Sequence, residues 1–209
     1  MKRGVFQIMN PEGELYTVDT TKPGTPFYGS TWQNILGSRE RGEFIRGRAA
    51  TRCFSKGDRF SGYVMDIEGV RAFLPASKAG WFREQENDAC GKFLALKAET
   101  VYVNGDKAGT MIVNANAPIN YILNRQRRGN AGIGCEIYAL AVDHDERALV
   151  FPWLESSLII VPLFEAQRAA QYFNISSRPD DLTGYYWRLG LAGWAAANCL
   201  TAVPLEVMI

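Results

Sequence analysis

One order of segments occurs twice along this chain. An apolar run ends in proline, an alanine stands four places on, a polar segment follows, and Asp-x-x-Gly then opens another apolar run. The first instance is Val70–Leu74 with Pro75 and Ala79, then Asp88-Ala89-Cys90-Gly91 before Lys92–Leu96. The second is Leu158–Val161 with Pro162 and Ala166, then Asp181-Leu182-Thr183-Gly184 before Tyr185–Leu189. A recurrence of this kind predicts two units of one build.

The runs between the turns are short and β-like. In the first unit they are Phe44–Arg48, Phe60–Ile67, Val70–Leu74, Gly91–Ala98 and Thr110–Val113. Ser55-Lys56-Gly57-Asp58 reads as a turn, and Asn104-Gly105 between apolar runs is a hairpin signal. A loop or short helix separates the third run from the fourth. Five short strands in so few residues describe a small Greek-key barrel of the OB type. The second unit repeats this with Gly134–Val142, a turn at Asp143–Glu146, Ala148–Phe151, Leu158–Val161 and Tyr185–Leu189. The expected architecture is therefore all-β: two tandem five-stranded OB-type Greek-key barrels with an N-terminal extension. The boundaries read as 1–38 for the extension, 39–122 for the first barrel, 123–133 for a basic connector and 134–209 for the second barrel. The extension is rich in turn signals (Asn10-Pro11-Glu12-Gly13, Lys22-Pro23-Gly24-Thr25-Pro26) and is expected to hold one short strand or hairpin. Phe6, Tyr16, Phe27, Tyr28 and Trp32 are available to dock it.

Composition narrows the function. With 209 residues, 47% of them hydrophobic, the chain can bury a sizeable core. No charged-then-apolar leader is visible. The uncharged run Leu189–Leu205 contains Gly, Asn, Thr and Pro and falls short of a membrane span. The expectation is a cytoplasmic protein with no membrane partner. The four cysteines (Cys53, Cys90, Cys135, Cys199) include no C-x-x-C pair, so reduced thiols are expected and a zinc site is not. The one histidine, His144, lies in Asp143-His144-Asp145-Glu146 and reads as part of a solvated turn rather than a metal ligand. Ala89-Cys90-Gly91-Lys92 has the Gly-Lys of a phosphate-binding loop but neither its first Gly nor its Ser/Thr. No G-x-G-x-x-G follows a strand. With a single histidine, nucleophilic triads have one base to draw on. We expect no enzyme, no metal and no cofactor.

Charge is distributed unevenly. Residues 1–130 carry a net +6 and residues 131–209 a net −5. That asymmetry suggests a half facing nucleic acid and a half with another task.

Gly69-Val70-Arg71-Ala72-Phe73-Leu74-Pro75-Ala76-Ser77 resembles the signature of the OB repeats in ribosomal protein S-one. Trp32-x-x-Ile35-Leu36 is similar to the Trp and Leu that precede such a repeat. Gly42-Glu43 with Gly47 resembles its first strand, Gly62–Ile67 its second, and Gly91-Lys92 the opening of its fourth. The resemblance covers residues 32–120 and reaches 130–209 only through the internal repeat. Around Cys53 to Arg59 the loop between first and second strands reads as longer than in the family. The second repeat reads Ile159-Ile160-Val161-Pro162 and lacks the Arg-Ala-Phe signature.

The resemblance implies single-stranded RNA binding. Such binding needs cations that track phosphates and aromatic faces on which bases stack. The first repeat is rich in both. The nucleic-acid-binding candidates are Arg46, Arg48, Phe60, Tyr63, Arg71, Phe73 and Lys78. Tyr63 and Phe60 stand where the resemblance puts base-stacking aromatics. Strand neighbours face opposite sides, so one of Phe73 and Leu74 points into the barrel. Arg71 has a competing use as a surface ion pair with Asp66 or Glu68. Arg125, Arg127 and Arg128 in the connector fit either a phosphate-tracking arm or a solvated loop.

The second repeat is acidic and aromatic. An acidic surface repels nucleic acid, and clustered Trp and Tyr fit a protein interface. Trp153, Trp187 and Trp194 are the candidates, with a barrel core as the plainer use of the same residues. The functional expectation is non-enzymatic single-strand binding, RNA and the ribosome or translation first. Its partners would be single-stranded RNA (DNA as the variant) and a ribosomal or other protein assembly held by the second barrel. The alternatives are a structural or protein-interaction subunit that has lost nucleic-acid binding, and single-stranded DNA binding in a phage or plasmid setting.

Overall fold

The structure is a computed structural model that describes residues 5–9, 15–19, 30–55, 59–83, 88–104, 107–129, 132–154 and 157–208. The chain divides into two units. Unit 1 comprises Met1–Cys90 with Leu96–Ala115, and unit 2 comprises Gly91–Ala95 with Asn116–Ile209. The fold is mostly β, with half of the residues in strands.

Unit 1 opens with a hairpin, β1 (Val5–Met9) and β2 (Leu15–Asp19), and a helix, α1 (Ser30–Arg41). The barrel strands are β3 (Ile45–Ser55), β4 (Arg59–Ile67), β5 (Val70–Pro75), β6 (Phe93–Asn104) and β7 (Lys107–Asn114). Two 3-10 turns, η1 (Ala76–Lys78) and η2 (Gly80–Arg83), fill the gap between β5 and β6. The strands are ordered β3-β4-β5-β7-β6, with β6 returning to β3, so five strands close a barrel. β5 and β7 run parallel, while β3–β4, β4–β5 and β6–β7 are antiparallel. The extension does form a hairpin, and β1 lies beside β7 through the parallel pair Gln7 and Ala108. The aromatic side chains expected to dock it lie outside the described residues.

The alternation of the sequence sets what faces inward. On β5, Val70, Ala72 and Leu74 are buried, while Arg71 and Phe73 face outward. Tyr63, Met65 and Ile67 on β4 and Met111 and Val113 on β7 join them in the core. Each large apolar side chain buried this way contributes about 1.5–3 kcal/mol.

In unit 2, α2 (Asn116–Arg128) precedes a six-stranded sheet that curls into a half-barrel. Its strands are β8 (Glu136–Leu140), β9 (Asp143–His144), β10 (Ala148–Pro152), β11 (Leu158–Pro162), β12 (Tyr186–Ala196) and β13 (Cys199–Met208). Helices α3 (Leu163–Tyr172) and α4 (Pro179–Leu182) stand between β11 and β12. The order is β8-β12-β13-β11-β10-β9. One stretch, Glu136–His144, supplies both edges. The Ala141 amide donates to the Tyr185 carbonyl at 3.1 Å, and the next amide, Val142, donates to the Val150 carbonyl at 3.0 Å. The order of connections, with the first strand split between two edges, is the order seen in unit 1.

Several expectations are corrected. The stretch around Cys53 to Arg59 is not a long loop: β3 runs through Ser55 and β4 starts at Arg59, with residues 56–58 outside the described set. β6 continues to Asn104 rather than ending near Ala98; Gly105 and Asp106 of the expected hairpin turn lie outside the described residues. Asp143 and His144 are a strand, and the turn falls at Asp145, whose Oδ1 accepts from the Arg147 and Ala148 amides at 2.7 Å each. The polar segment after Pro162 is helical. Arg125, Arg127 and Arg128 sit in the last turn of α2, where cations suit the carbonyl end of the helix. The uncharged run Leu189–Leu205 is the body of the β12–β13 hairpin. It is apolar because Leu189, Leu191, Leu200 and Ala202 are buried in the unit 2 core. No helix among the described residues is long and apolar enough to cross a membrane.

Candidate nucleic-acid interface

The long β3–β4 ribbon carries two β-bulges, and they decide where its side chains point. Ala49 pairs with Met65 and Thr51 with Val64, leaving Ala50 as an extra residue in β3. Cys53 pairs with Gly62 and Phe54 with Phe60, leaving Ser61 as an extra residue in β4. A bulge shifts the side-chain alternation by one. Phe60 and Tyr63, three apart, therefore turn the same way, and Arg52 opposite Tyr63 joins them.

The result is a ladder of flat groups. Tyr63 and Phe60 meet edge to face at 5.1 Å between ring centres. The Arg52 guanidinium lies over Phe60 at 4.7 Å and over Phe54 at 5.7 Å. Phe54 and Phe60 complete it edge to face at 6.4 Å. The inner end is anchored. The Tyr63 hydroxyl donates to the Phe82 carbonyl at 3.0 Å and accepts from the Ala89 amide at 3.3 Å. The outer end is open, with Phe54 52% exposed. Cation–π stacking of this kind is worth about 0.5–2 kcal/mol.

Gly62 makes the ladder possible. Its φ is +145°, and a Cβ there would stand 2.1 Å from the Leu74 carbonyl oxygen. Only glycine lets β4 approach β5 at this bulge.

Tyr63 is corrected as a stacking platform. It is fully buried, its ring packed on Phe60 and its hydroxyl satisfied by two backbone groups, so it has no face to offer a base. Its part is to hold the inner end of the ladder. Burial pushes its hydroxyl above the usual tyrosine range and the nearby Asp88 charge adds to this, against the Ala89 N–H. For Asp88 itself, burial works to raise the carboxyl. The Cys90 amide and thiol, the Arg52 charge and the Tyr63 hydroxyl outweigh it and hold it below its usual value.

The other candidates divide. Phe60 belongs to the ladder, half-buried. Phe73 faces outward, across from Val64 and Ile112, while Leu74 takes the inward place. Arg48, Asp66 and Arg71 form one row across β3, β4 and β5. Arg71 Nη1 is 3.7 Å from Asp66 Oδ2 with both side chains more than a third exposed, a pairing worth little. Arg48 is exposed and Arg46 half-buried, and both make other contacts. Lys78 is corrected as a free phosphate contact. It is ion-paired with Glu99, which also accepts from Asn114 Nδ2 at 2.6 Å. Burial works against the Glu99 charge, and Lys78 and Asn114 overcome it and keep the carboxyl below its usual range.

In unit 2, Trp187 is corrected as an interface residue: it is fully buried and meets Phe151 edge to face at 6.2 Å. Trp153 is half-buried against the same core. Trp194 is 57% exposed, on a hairpin that also exposes Val203 and Leu205.

Phe54 was not among the site candidates that sequence reasoning selects, and Arg52 was counted there only among the cations of the first repeat. Their signal was present, an Arg and a Phe two apart facing Phe60 across a turn. It is hidden when Cys53–Arg59 is read as loop. Among the described residues, no group of three or more His, Cys, Asp or Glu side chains is placed to hold a metal ion.

No protein-family profile matches the chain, and no curated protein matches it. Among solved structures, one from Streptococcus pneumoniae TIGR4, described as a multidomain protein with nucleic acid binding domains, is similar to 97% of this chain at 11% identity with a TM-score of 0.34. This chain spans 59% of that structure's length. A similarity of that size does not establish a shared fold.

Proposed function

We propose that this chain binds single-stranded nucleic acid without catalysis, with RNA as the ligand and the ribosome or translation as the setting. The observation that carries the reading is the ladder Tyr63–Phe60–Arg52–Phe54, anchored at its inner end and open at its outer one. The outward Phe73 and the exposed Arg48 and Arg59 stand on the same strands, on the face opposite the ladder. Flat faces beside cations are what a strand of unpaired bases needs. The strand order β3-β4-β5-β7-β6, closing on β3 with a parallel β5–β7 pair, is the order expected of an OB barrel. The Gly69–Ser77 signature supports the ribosomal S-one reading of that barrel, and the shared order of connections supports a duplicated unit. The basic bias of residues 1–130 supports an anionic ligand.

Fluorescence anisotropy of the full chain with labelled U-rich single-stranded RNA, its DNA counterpart and a duplex, at low and physiological salt, tests this. Single strands bind, duplex does not, and RNA exceeds DNA. Phe54→Ala and Phe60→Ala each weaken binding about five- to hundred-fold, the worth of one stacked base. No binding at low salt refutes the reading.

Trp194, Val203 and Leu205 favour a second reading, in which unit 2 holds a protein partner. Under it, Trp194→Ala abolishes assembly while leaving single-strand affinity unchanged.

A further inference from the structure

We infer that the Phe54–Arg52–Phe60 stack is a recognition pocket for a guanine base, read by the Arg52 guanidinium; this rests on the single-strand reading above. Nε and Nη2 of Arg52 are both buried, and neither has a hydrogen-bond partner among the described residues. Those two N–H groups lie along one edge of the guanidinium and form a fork that meets two acceptors side by side. Buried donors without acceptors are costly, and native proteins rarely keep them without a use. An incoming acceptor pair relieves that cost. Phe54 covers the guanidinium yet is 52% exposed. Exposed side chains change rotamer in ps–ns, so its ring can turn aside and admit a ligand.

Two acceptor pairs suit the fork: two oxygens of a phosphate, or O6 and N7 of guanine. The surroundings favour guanine. Asp88 lies close enough for its charge and that of Arg52 to influence each other. A phosphate entering the pocket meets that carboxylate as a like charge. A neutral guanine does not, and its N1–H and N2–H groups are donors a carboxylate accepts. Adenine presents a donor, N6–H, beside N7, which opposes the fork. A flat base also stacks on the Phe60 and Phe54 rings, which a phosphate cannot do.

The test uses the full chain and labelled oligo-U of about twelve nucleotides, within the usual site size. The strands carry a central G, A, C or 7-deazaguanine, and inorganic phosphate is added as a competitor. Proteins are wild type, Arg52→Lys and Arg52→Gln, with thermal melts to check folding. The expected result is about tenfold or greater preference for G over U. That preference falls away with 7-deazaguanine, which lacks the N7 acceptor, and with Arg52→Lys, which keeps the charge but loses the fork. Wild type still binds the strand of U alone. The 7-deazaguanine arm needs no variant, so it decides even where a substitution unfolds the protein. Equal affinity for all four centres, a G preference that survives 7-deazaguanine, or millimolar phosphate that competes away the G preference overturns the guanine pocket alone. Absence of binding to every strand at low salt overturns the single-strand reading with it.

Discussion

Tyr63 shows how one side chain can look like a ligand platform and serve as a bolt. Its hydroxyl ties β4 to the Phe82 carbonyl and the Ala89 amide. Tyr63→Phe leaves both backbone groups buried without a partner and costs about 1–3 kcal/mol, read by thermal or urea unfolding. It also changes the pH profile. Burial first, and the Asp88 charge with it, put the folded-state hydroxyl above the ordinary tyrosine value. The protonated form is therefore the stabilised one. Its contribution is complete below pH about 10 and is lost as pH rises through the folded value. Unfolding followed from pH 8 to 12 shows a steeper alkaline loss in the wild type than in Tyr63→Phe. Equal slopes would separate the hydroxyl from the barrel's alkaline stability.

At the scale of the element, the β3–β4 ribbon turns on its bulges. Gly62 stands at one of them, and Gly62→Ala puts a methyl against the Leu74 carbonyl at a φ that L side chains rarely adopt. β4 then separates from β5 or the bulge is lost. Either way we expect at least about 3 kcal/mol of destabilisation in urea, with loss of single-strand binding because the ladder is built on this register. The β12–β13 hairpin of unit 2 makes the converse point. Trp187 is held at its core end and Trp194 exposed at its tip, on one strand. Trp187→Ala opens a cavity beside Phe151 and costs about 3–5 kcal/mol. Trp194→Ala leaves the melting temperature within a degree or two, as expected of an exposed side chain.

For the whole molecule, the controlling quantity is charge. The chain as a whole is nearly neutral at +1, yet its first 130 residues carry +6. Binding through that half should fall with salt. The slope of log K against log salt is about −0.7 for each phosphate neutralised on a single strand. Arg48→Gln and Arg59→Gln each make the slope shallower by about that amount, without changing base preference. A slope indifferent to both places the phosphate contacts elsewhere within residues 1–130.

Much of this protein was legible in the order of its residues. The five apolar runs of the first unit and the four of the second, the Pro75 and Pro162 stops, and the two Asp-x-x-Gly openings predict strands because alternation and turn chemistry are local properties. Leu189–Leu205 holds Leu189, Leu191, Leu200 and Ala202 because one face of its hairpin is buried, while its tip stays exposed. Which face each ribbon residue takes is a different matter. The extra residues Ala50 and Ser61 each reverse the alternation of their strand, and a bulge exists only by reference to the partner strand it is paired with. Tertiary pairing therefore decided that Phe60 turns the same way as Tyr63, that Arg52 and Phe54 form the stack, and that Cys53–Arg59 holds strand ends rather than a loop. It likewise decided that Lys78 is ion-paired to Glu99 and that Trp187 is core while Trp194 is surface. A strand's composition determines that it will be half-buried; only the strands it meets determine which half.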